Sequence, residues 1–364
     1  MVYNIFMTTQ DKKYMKMCFA LAKRGIGKVL PNPLVGCVVL DKNGNVVSKG
    51  YHKKYGENHA ERDALLKLKN NEAEGGTLYV NLEPCSHYGK TPPCTDLIIE
   101  RKIARVVYGM KDPNKKVNGG GKLKSAGIEL TEGVLEDEAK FLNRIFIKNM
   151  TNNLPYVVLK TATTMDGKIA THTGDSKWIT SEKARKEVYK MRKSFDCVLT
   201  SSNTVLADNP KMEHKFKCIL DKDLRITKDA QIFKQGEIYV ASKNNILIKN
   251  SELDLREVLE TLYKKGICSV FVECGGTLAG AFLREGLIDE VYQFIAPKIL
   301  NDNEGMSCFN GSGKCSVIAR SKTTKQSHTE EGKCNKISDC VNLEIYEVKK
   351  FAPDILIKAI VKKP

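Results

Sequence analysis

Short apolar runs rich in β-branched residues alternate with segments of helical period along this chain, and the alternation comes in two series. In the first, DKKYMKMCFALAKRG (11–25) puts Met15, Cys18, Phe19 and Ala22 on one helical face, with Asp11 as candidate N-cap and Gly25 as stop. LVGCVVLDKNGNVVSKGY then reads as a β-hairpin turning at Lys42-Asn43-Gly44. A helix carrying His59, a strand TLYVNL, a helix after Cys94 and a strand ARVVYGM follow. The polar stretch KNMTNNLP (148–155) reads as a link. Beyond it YVVLKTAT, DCVLTS, EIYVAS, CSVFVEC and VYQFIAP are β-rich runs separated by helical segments. Alternation of this kind predicts two α/β domains, each with its own sheet, over 1–150 and 151–364.

Bulk properties narrow the function classes. Hydrophobic residues make up 41% of 364, enough to bury two cores, and no apolar run approaches the ~18 residues of a membrane span. The N-terminal stretch lacks the apolar core of a signal peptide, so a cytoplasmic protein is expected. A net charge of +16 nominates acidic ligands, but its lysines are spread along the whole chain, which argues against a nucleic-acid or membrane patch. Twelve cysteines without an export signal do not suggest a disulfide framework; several, such as Cys37 and Cys197, sit inside apolar runs as small hydrophobes. Cys308, Cys315, Cys334 and Cys340 lie around a polar insert, with six, eighteen and five residues between successive members. A zinc site there would lack any CxxC pair, and the insert reads as an exposed loop.

NHAERDALLK (58–67) holds His59 and Glu61 two residues apart at the head of a helix-like stretch. On a helix such residues diverge by about 200°, so both meet one ligand only where the helix end points at it. A solvated first turn is the plain alternative. LEPCSHYGKTPPCTD (82–96) decides between them: Cys85 follows a strand and Cys94 opens a predicted helix, whose free N–H groups favour a thiolate. His59, Cys85 and Cys94 make three zinc ligands with a fourth position for water, and Glu61 remains to move protons. Zinc deaminases combine H-x-E with P-C-x-x-C in this way, although here eight residues separate the cysteines. A structural zinc would need a fourth ligand, which His87 could supply.

These motifs, with PNPLVGCVV (31–39) and KDPN (111–114), resemble the deaminase half of the bifunctional riboflavin-biosynthesis deaminase/reductase family. The resemblance implies a cytidine-deaminase-like three-layer domain whose pyrimidine and phosphoribosyl pocket is lined by Asn32, His52, His87, Lys90, Asp112 and Asn114. LKTATTMDGKIATHTGDSKWITS (159–181) resembles the start of the reductase half, implying a dihydrofolate-reductase-like α/β domain. By the same resemblance Ala162, Trp178, Thr204 and Asp208 would lie against NADPH. Ser176, Arg192 (on the substrate phosphate), Met212, Lys215 and Glu273 would meet the second substrate. FVECGGTLAGAFLREGLIDEV reads as strand, glycine turn, helix and strand, and such a turn can cradle a phosphate. Gly275, Gly276, Thr277, Leu278, Ala279, Gly280 and Ala281 are then expected at the NADPH phosphates.

The sequence departs from the family after Ala207-Asp208-Asn209-Pro210. Where Leu-Thr-x-Arg is usual, KMEHKFK brings Met212, Glu213 and Lys215, replacing a bidentate guanidinium by a point charge beside an acid. That favours, as a second reading, a deaminase whose other half only binds ligand. The first reading implied is zinc-dependent hydrolytic deamination of 2,5-diamino-6-(5-phosphoribosylamino)pyrimidin-4-one. NADPH-dependent reduction of the ribosyl chain to 5-amino-6-(5-phosphoribitylamino)uracil follows. One catalytic zinc, NADPH, a phosphorylated pyrimidine and a dimer or tetramer go with it; a nucleic-acid-binding protein with structural zinc is the rival.

Overall fold

The computed structural model describes residues 8–69, 71–89, 91–310 and 340–362. The chain divides into two compact units, Met1–Asn153 and Leu154–Pro364. In the first, α1 (Thr9–Ala22) starts from a capping box in which Asp11 N–H donates to Thr8 Oγ1 at 3.0 Å and Thr8 N–H to Asp11 Oδ2 at 3.1 Å. The N-cap is therefore Thr8, and the expected cap Asp11 sits in the first turn, where it also takes Arg105 and the Tyr79 hydroxyl. Gly25 ends a short 3₁₀ turn after the helix rather than the helix itself.

Next come β1 (Gly36–Leu40), β2 (Val46–Tyr51), α2 (Ala60–Leu65), β3 (Thr77–Leu82), α3 (Cys94–Glu100), β4 (Arg105–Met110), α4 (Gly119–Ser125), β5 (Glu129–Glu132), α5 (Glu136–Leu142) and α6 (Arg144–Asn152). The strands form one sheet in the order β2-β1-β3-β4-β5, antiparallel around β1 and parallel from β3 onward. A Cβ on Gly36 would stand 2.1 Å from the Cys18 carbonyl of α1, and one on Gly50 2.3 Å from the Ala60 carbonyl of α2. Gly50 pairs with Cys37, the neighbour of Gly36, so the two glycines face opposite sides of the pleat. Helices α1 and α2 therefore cover opposite faces, and the unit has three layers. Only glycine lets them approach the sheet so closely.

The stretch expected as a link is mostly the last turns of α6, with Lys148 and Asn149 buried and Asn153 in the left-handed C-cap conformation (φ 54°). Its polar composition imitates a linker, but its backbone continues a helix up to the Leu154-Pro155 step that enters the second unit.

The second unit contains β6 (Tyr156–Thr163), β7 (Lys168–Ala170), α7 (Glu182–Arg192), β8 (Cys197–Ser201), α8 (Ser202–Asp208), β9 (Phe216–Leu220), β10 (Glu237–Ala241), β11 (Ile248–Lys249), β12 (Glu252–Leu253), α9 (Leu255–Lys264), β13 (Ser269–Glu273), α10 (Gly276–Arg284), β14 (Glu290–Ile295), β15 (Met306–Ser307), β16 (Leu343–Phe351) and β17 (Asp354–Val361). Its main sheet runs β10-β9-β8-β13-β6-β14-β17-β16, parallel from β10 to β14 and antiparallel in the last two strands. Leu255, Val258, Leu259 and Leu262 of α9, spaced as one helical face, join Phe282 of α10 and Val157, Leu159, Val270 and Val272 of the sheet in the core. From β6 the chain moves outward through β8, β9 and β10, then returns to insert β13 beside β6. A crevice at the carboxyl ends of the strands is where such a reversal places a ligand. Among the described residues no helix is long and apolar enough to cross a membrane.

Candidate active sites

His59 is the N-cap of α2, with extended backbone (φ −65°, ψ 163°), so its ring and the Glu61 side chain both leave the start of the helix. Cys94 is the first residue of α3; its N–H donates to Cys85 Sγ at 3.3 Å, and Thr95 N–H and Oγ1 hold the Cys85 carbonyl. The loop after β3 is thereby pinned onto the start of α3. His59 Nδ1 lies 3.5 Å from Cys85 Sγ and 3.5 Å from Cys94 Sγ, and the three donor atoms are all within 4.8 Å of one another. A tetrahedral zinc with ordinary Zn–N and Zn–S bonds sets N···S at about 3.6 Å. The residues fit that ion, and His87 is not among the grouped donors.

Hydrogen bonding from Cys94 and from His59 holds the Cys85 thiol well below the ordinary range, whereas sharing that bond, together with burial, pushes Cys94 up. Glu61 is 4% exposed. Burial, then the neighbouring Cys85 charge, raises its carboxyl to about 7. A group so poised can both take and give a proton near neutrality.

Around this centre the expected pocket residues separate. Asn32 is half-buried and its Nδ2 is 3.1 Å from His52 Nε2. His52 is 2% exposed, and its other nitrogen lies 3.0 Å from the Asn58 carbonyl. Both ring nitrogens are thus engaged within the protein. Burial holds the ring's pKa down. Asp112 accepts from Asn114 N–H at 2.8 Å, and burial pushes its carboxyl up to about 6. Asp112 and Asn114 line a cavity of about 270 Å³. His87 is exposed, and Lys90 lies outside the described residues. Sequence reading missed Glu83, a buried carboxylate that accepts from Gly120 N–H at 2.9 Å and Asp112 N–H at 3.2 Å and so ties down the KDPN loop. Its place two residues before Cys85 was the available signal. Of the tail cysteines, Cys315 and Cys334 lie outside the described residues, and among those described the His59 group is the one metal-competent cluster.

The second unit has a cleft of about 2130 Å³ at the carboxyl ends of β6, β8, β9 and β13. Ala162, Ser176, Trp178, Arg192, Thr204, Asp208, Met212, Glu273, Gly275, Gly276, Thr277, Leu278 and Ala281 line it. Ala279 and Gly280 do not. They face inward from α10, where a Cβ on Gly280 would stand 2.3 Å from the Asn310 carbonyl. Lys215 is also off the cleft, its side chain 70% exposed and its Nζ 3.8 Å from Asp196. Glu213 accepts from the Tyr189 hydroxyl at 2.5 Å.

Arg192 forks onto the buried Glu273, with Nη2 to Oε2 at 3.0 Å, and Lys160 Nζ stands 3.5 Å from the same carboxylate. Burial alone would raise Glu273; the two cations outweigh it and hold it low. Arg192 thus meets a protein carboxylate through Nε and Nη2 while lining the cleft. Lys160, missed from sequence because a lysine within a strand reads as solvated, lines the cleft. Trp178 is 62% exposed with the Arg185 guanidinium 4.2 Å over its ring, and Lys177 pairs with Asp208 at 3.1 Å. Gly275, the N-cap of α10, has open space where a Cβ would be, so the N–H groups at the start of that helix are reachable.

Two family models match the chain: "Cytidine and deoxycytidylate deaminase zinc-binding region" over 8–110 and "RibD C-terminal domain" over 155–355. The riboflavin biosynthesis protein RibD of Actinobacillus pleuropneumoniae is 40% identical over 339 residues, 85% of this chain and 90% of that one. Its namesake in Bacillus amyloliquefaciens is 37% identical over 97% of this chain and 96% of its own length. The solved structure of Acinetobacter baumannii RibD, form 1, superposes with a TM-score of 0.81 at 34% identity, covering 97% of this chain and 99% of that one. A diaminohydroxyphosphoribosylaminopyrimidine deaminase/5-amino-6-(5-phosphoribosylamino)uracil reductase from Thermotoga maritima gives 0.79 at 36%, with the same coverage.

Proposed function

The chain belongs to the family of bifunctional riboflavin-biosynthesis deaminase/reductases, and from that premise we propose how its two units divide the chemistry. It is a zinc-dependent deaminase of 2,5-diamino-6-(5-phosphoribosylamino)pyrimidin-4-one and an NADPH-dependent reductase that yields 5-amino-6-(5-phosphoribitylamino)uracil. The first unit carries the deamination and the second the reduction.

In the first unit His59, Cys85 and Cys94 hold the zinc. When bound it supplies the Lewis acidity that lets water act as a nucleophile near neutral pH. Glu61 takes a proton at its carboxylate from the attacking water and returns it to the departing amine. The observation that carries this reading is the pair of equal 3.5 Å separations from His59 Nδ1 to two thiols, with Glu61 leaving the same helix start. Asn32 and Asp112 contact the pyrimidine, and His87 and Lys90, between the two cysteines in sequence, meet the phosphoribosyl arm.

In the second unit NADPH supplies the hydride. The start of α10 from Gly275 to Leu278 would hold its phosphates, and Trp178, Thr204 and Asp208, which line the same cleft, would hold the rest of the dinucleotide. Lys160, steadied by Glu273, offers a charged hydrogen bond to the ribosyl oxygen, while Arg192 acts through Glu273. The dispersal of the lysines along the chain supports a small-molecule partner over nucleic acid. Incubating the purified chain with the diaminopyrimidine phosphate tests the division: ammonia appears without NADPH, and NADPH is oxidised only after it. Absence of ammonia release from protein carrying one zinc contradicts the reading.

A further inference from the structure

Asn32 is proposed above to contact the pyrimidine, and on that reading a more specific arrangement rests. We propose that His52 is a positioning residue that never touches substrate. It fixes which way round the Asn32 amide faces and thereby makes this point of the pocket a hydrogen-bond acceptor for an N–H of an aminopyrimidine.

The geometry runs in one direction. The Asn58 carbonyl can only accept, so the His52 Nδ1, 3.0 Å away, carries the hydrogen. In the neutral ring Nε2 then holds a lone pair, and a donor must face it. That donor is Asn32 Nδ2, at 3.1 Å. With its NH₂ committed to the ring, Asn32 presents Oδ1, which takes no hydrogen bond from the described residues and belongs to a half-buried side chain. Asn32 cannot slide either, because its N–H donates to the Val29 carbonyl at 2.9 Å. The His52 ring meets the zinc-ligand ring of His59 edge to face, with centroids 5.5 Å apart. The amide is thus set two side chains from the donor group that holds the metal. An aminopyrimidinone with its reacting carbon at the metal has exocyclic and ring N–H groups to offer; a ring bearing only lone pairs at that edge meets the carbonyl unfavourably. Without His52 the amide can turn over, and the two faces of the pocket residue become equivalent.

A double-mutant cycle on the full chain tests this, with ammonia release from the diaminopyrimidine phosphate as the readout. Asn32→Ala and His52→Ala should each lower kcat/KM by about tenfold or more, the loss appearing as a raised KM because the contact serves ground state and transition state alike. The double variant should be no worse than Asn32→Ala within about twofold, since His52 acts only through Asn32. His52→Gln, whose side-chain carbonyl can take the Asn32 N–H, should recover part of the loss. Zinc content and the NADPH-dependent reduction of the deaminated substrate serve as checks that each variant is folded. Multiplying losses in the double variant would show that His52 makes its own contact and overturn the proposal, as would loss of zinc from His52→Ala, which would assign the ring to support of His59. An Asn32→Ala that leaves KM unchanged removes the contact and the relay together. A wild type that binds zinc yet releases no ammonia instead overturns the deaminase reading itself.

Discussion

The zinc group of the first unit and the cleft of the second solve opposite problems. The first takes its donors from 59–94, and they arrive already at metal-binding separations because two helix starts and one pinned loop converge. The cleft gathers residues from 160 to 308 at the ends of several strands, and its principal charges are already satisfied by one another. A site for a small ion is thus held rigid by local hydrogen bonds. A site for a dinucleotide and a sugar phosphate is a broad surface whose ion pairs keep side chains oriented. Losing one donor should therefore be catastrophic in the first and graded in the second.

The largest effect expected is that of Cys94→Ser: zinc falls from one per chain to none by metal analysis, and ammonia release drops to background while reduction persists. Retained zinc would mean that the 3.5 Å geometry is not the coordinating one.

Glu273→Gln sharpens the graded side. It leaves Arg192 and Lys160 against a neutral amide; fully buried pairs lose ~3–5 kcal/mol on such a change. Here the cations are 19% and 18% exposed, so about 2 kcal/mol from the second unit's stability is expected by denaturant titration. Reduction should fall severalfold and deamination remain. A loss confined to deamination would break the comparison.

Asp11→Asn probes the first unit away from its metal. Burial opposes ionisation of Asp11, but Arg105, Thr8 and Tyr79 together outweigh it and hold the carboxyl at about 2 against an ordinary 3.8. A depressed folded-state pKa adds stability that is present above the unfolded value and lost as pH falls through the folded one. The stability difference between wild type and Asp11→Asn should thus shrink by about 2 kcal/mol between pH ~5 and ~2. A difference independent of pH would assign the effect to packing.

The smallest change belongs to the residues that depart from the family pattern. Lys215→Ala should alter the reductase KM less than about twofold, because an exposed lysine paired at 3.8 Å contributes little. A tenfold rise would put the sugar phosphate on the outer side of β9.

How much of this was legible in the sequence follows from the same contrast. The metal centre was legible because His-x-Glu and two cysteines, each preceded by proline, form one motif, and their helix starts follow from Asn58-His59 and Pro93-Cys94. The strand 156–163 was legible from its β-branched apolar run. The hairpin of β16 and β17 was not read, although Leu343, Ile345 and Val348 interleave with Glu344, Glu347 and Lys349 as in a half-exposed strand. The helix over 144–152 was hidden by its asparagines. His52, followed by Lys53 and Lys54, gave no sign of burial, and the Arg192–Glu273 fork joins residues 81 positions apart, beyond the reach of any local pattern.

The most direct test of the account is Glu61→Gln, an isosteric change that removes the proton carrier and none of the metal donors. Three quantities decide it on one preparation: zinc per chain, ammonia release, and NADPH oxidation with the deaminated substrate. The account predicts zinc retained at one per chain, ammonia release lower by about 10²–10⁴-fold, and reduction unchanged. Loss of zinc, or ammonia release at the wild-type rate, would contradict the role given to Glu61, and a parallel loss of reduction would contradict the separation of the two sites.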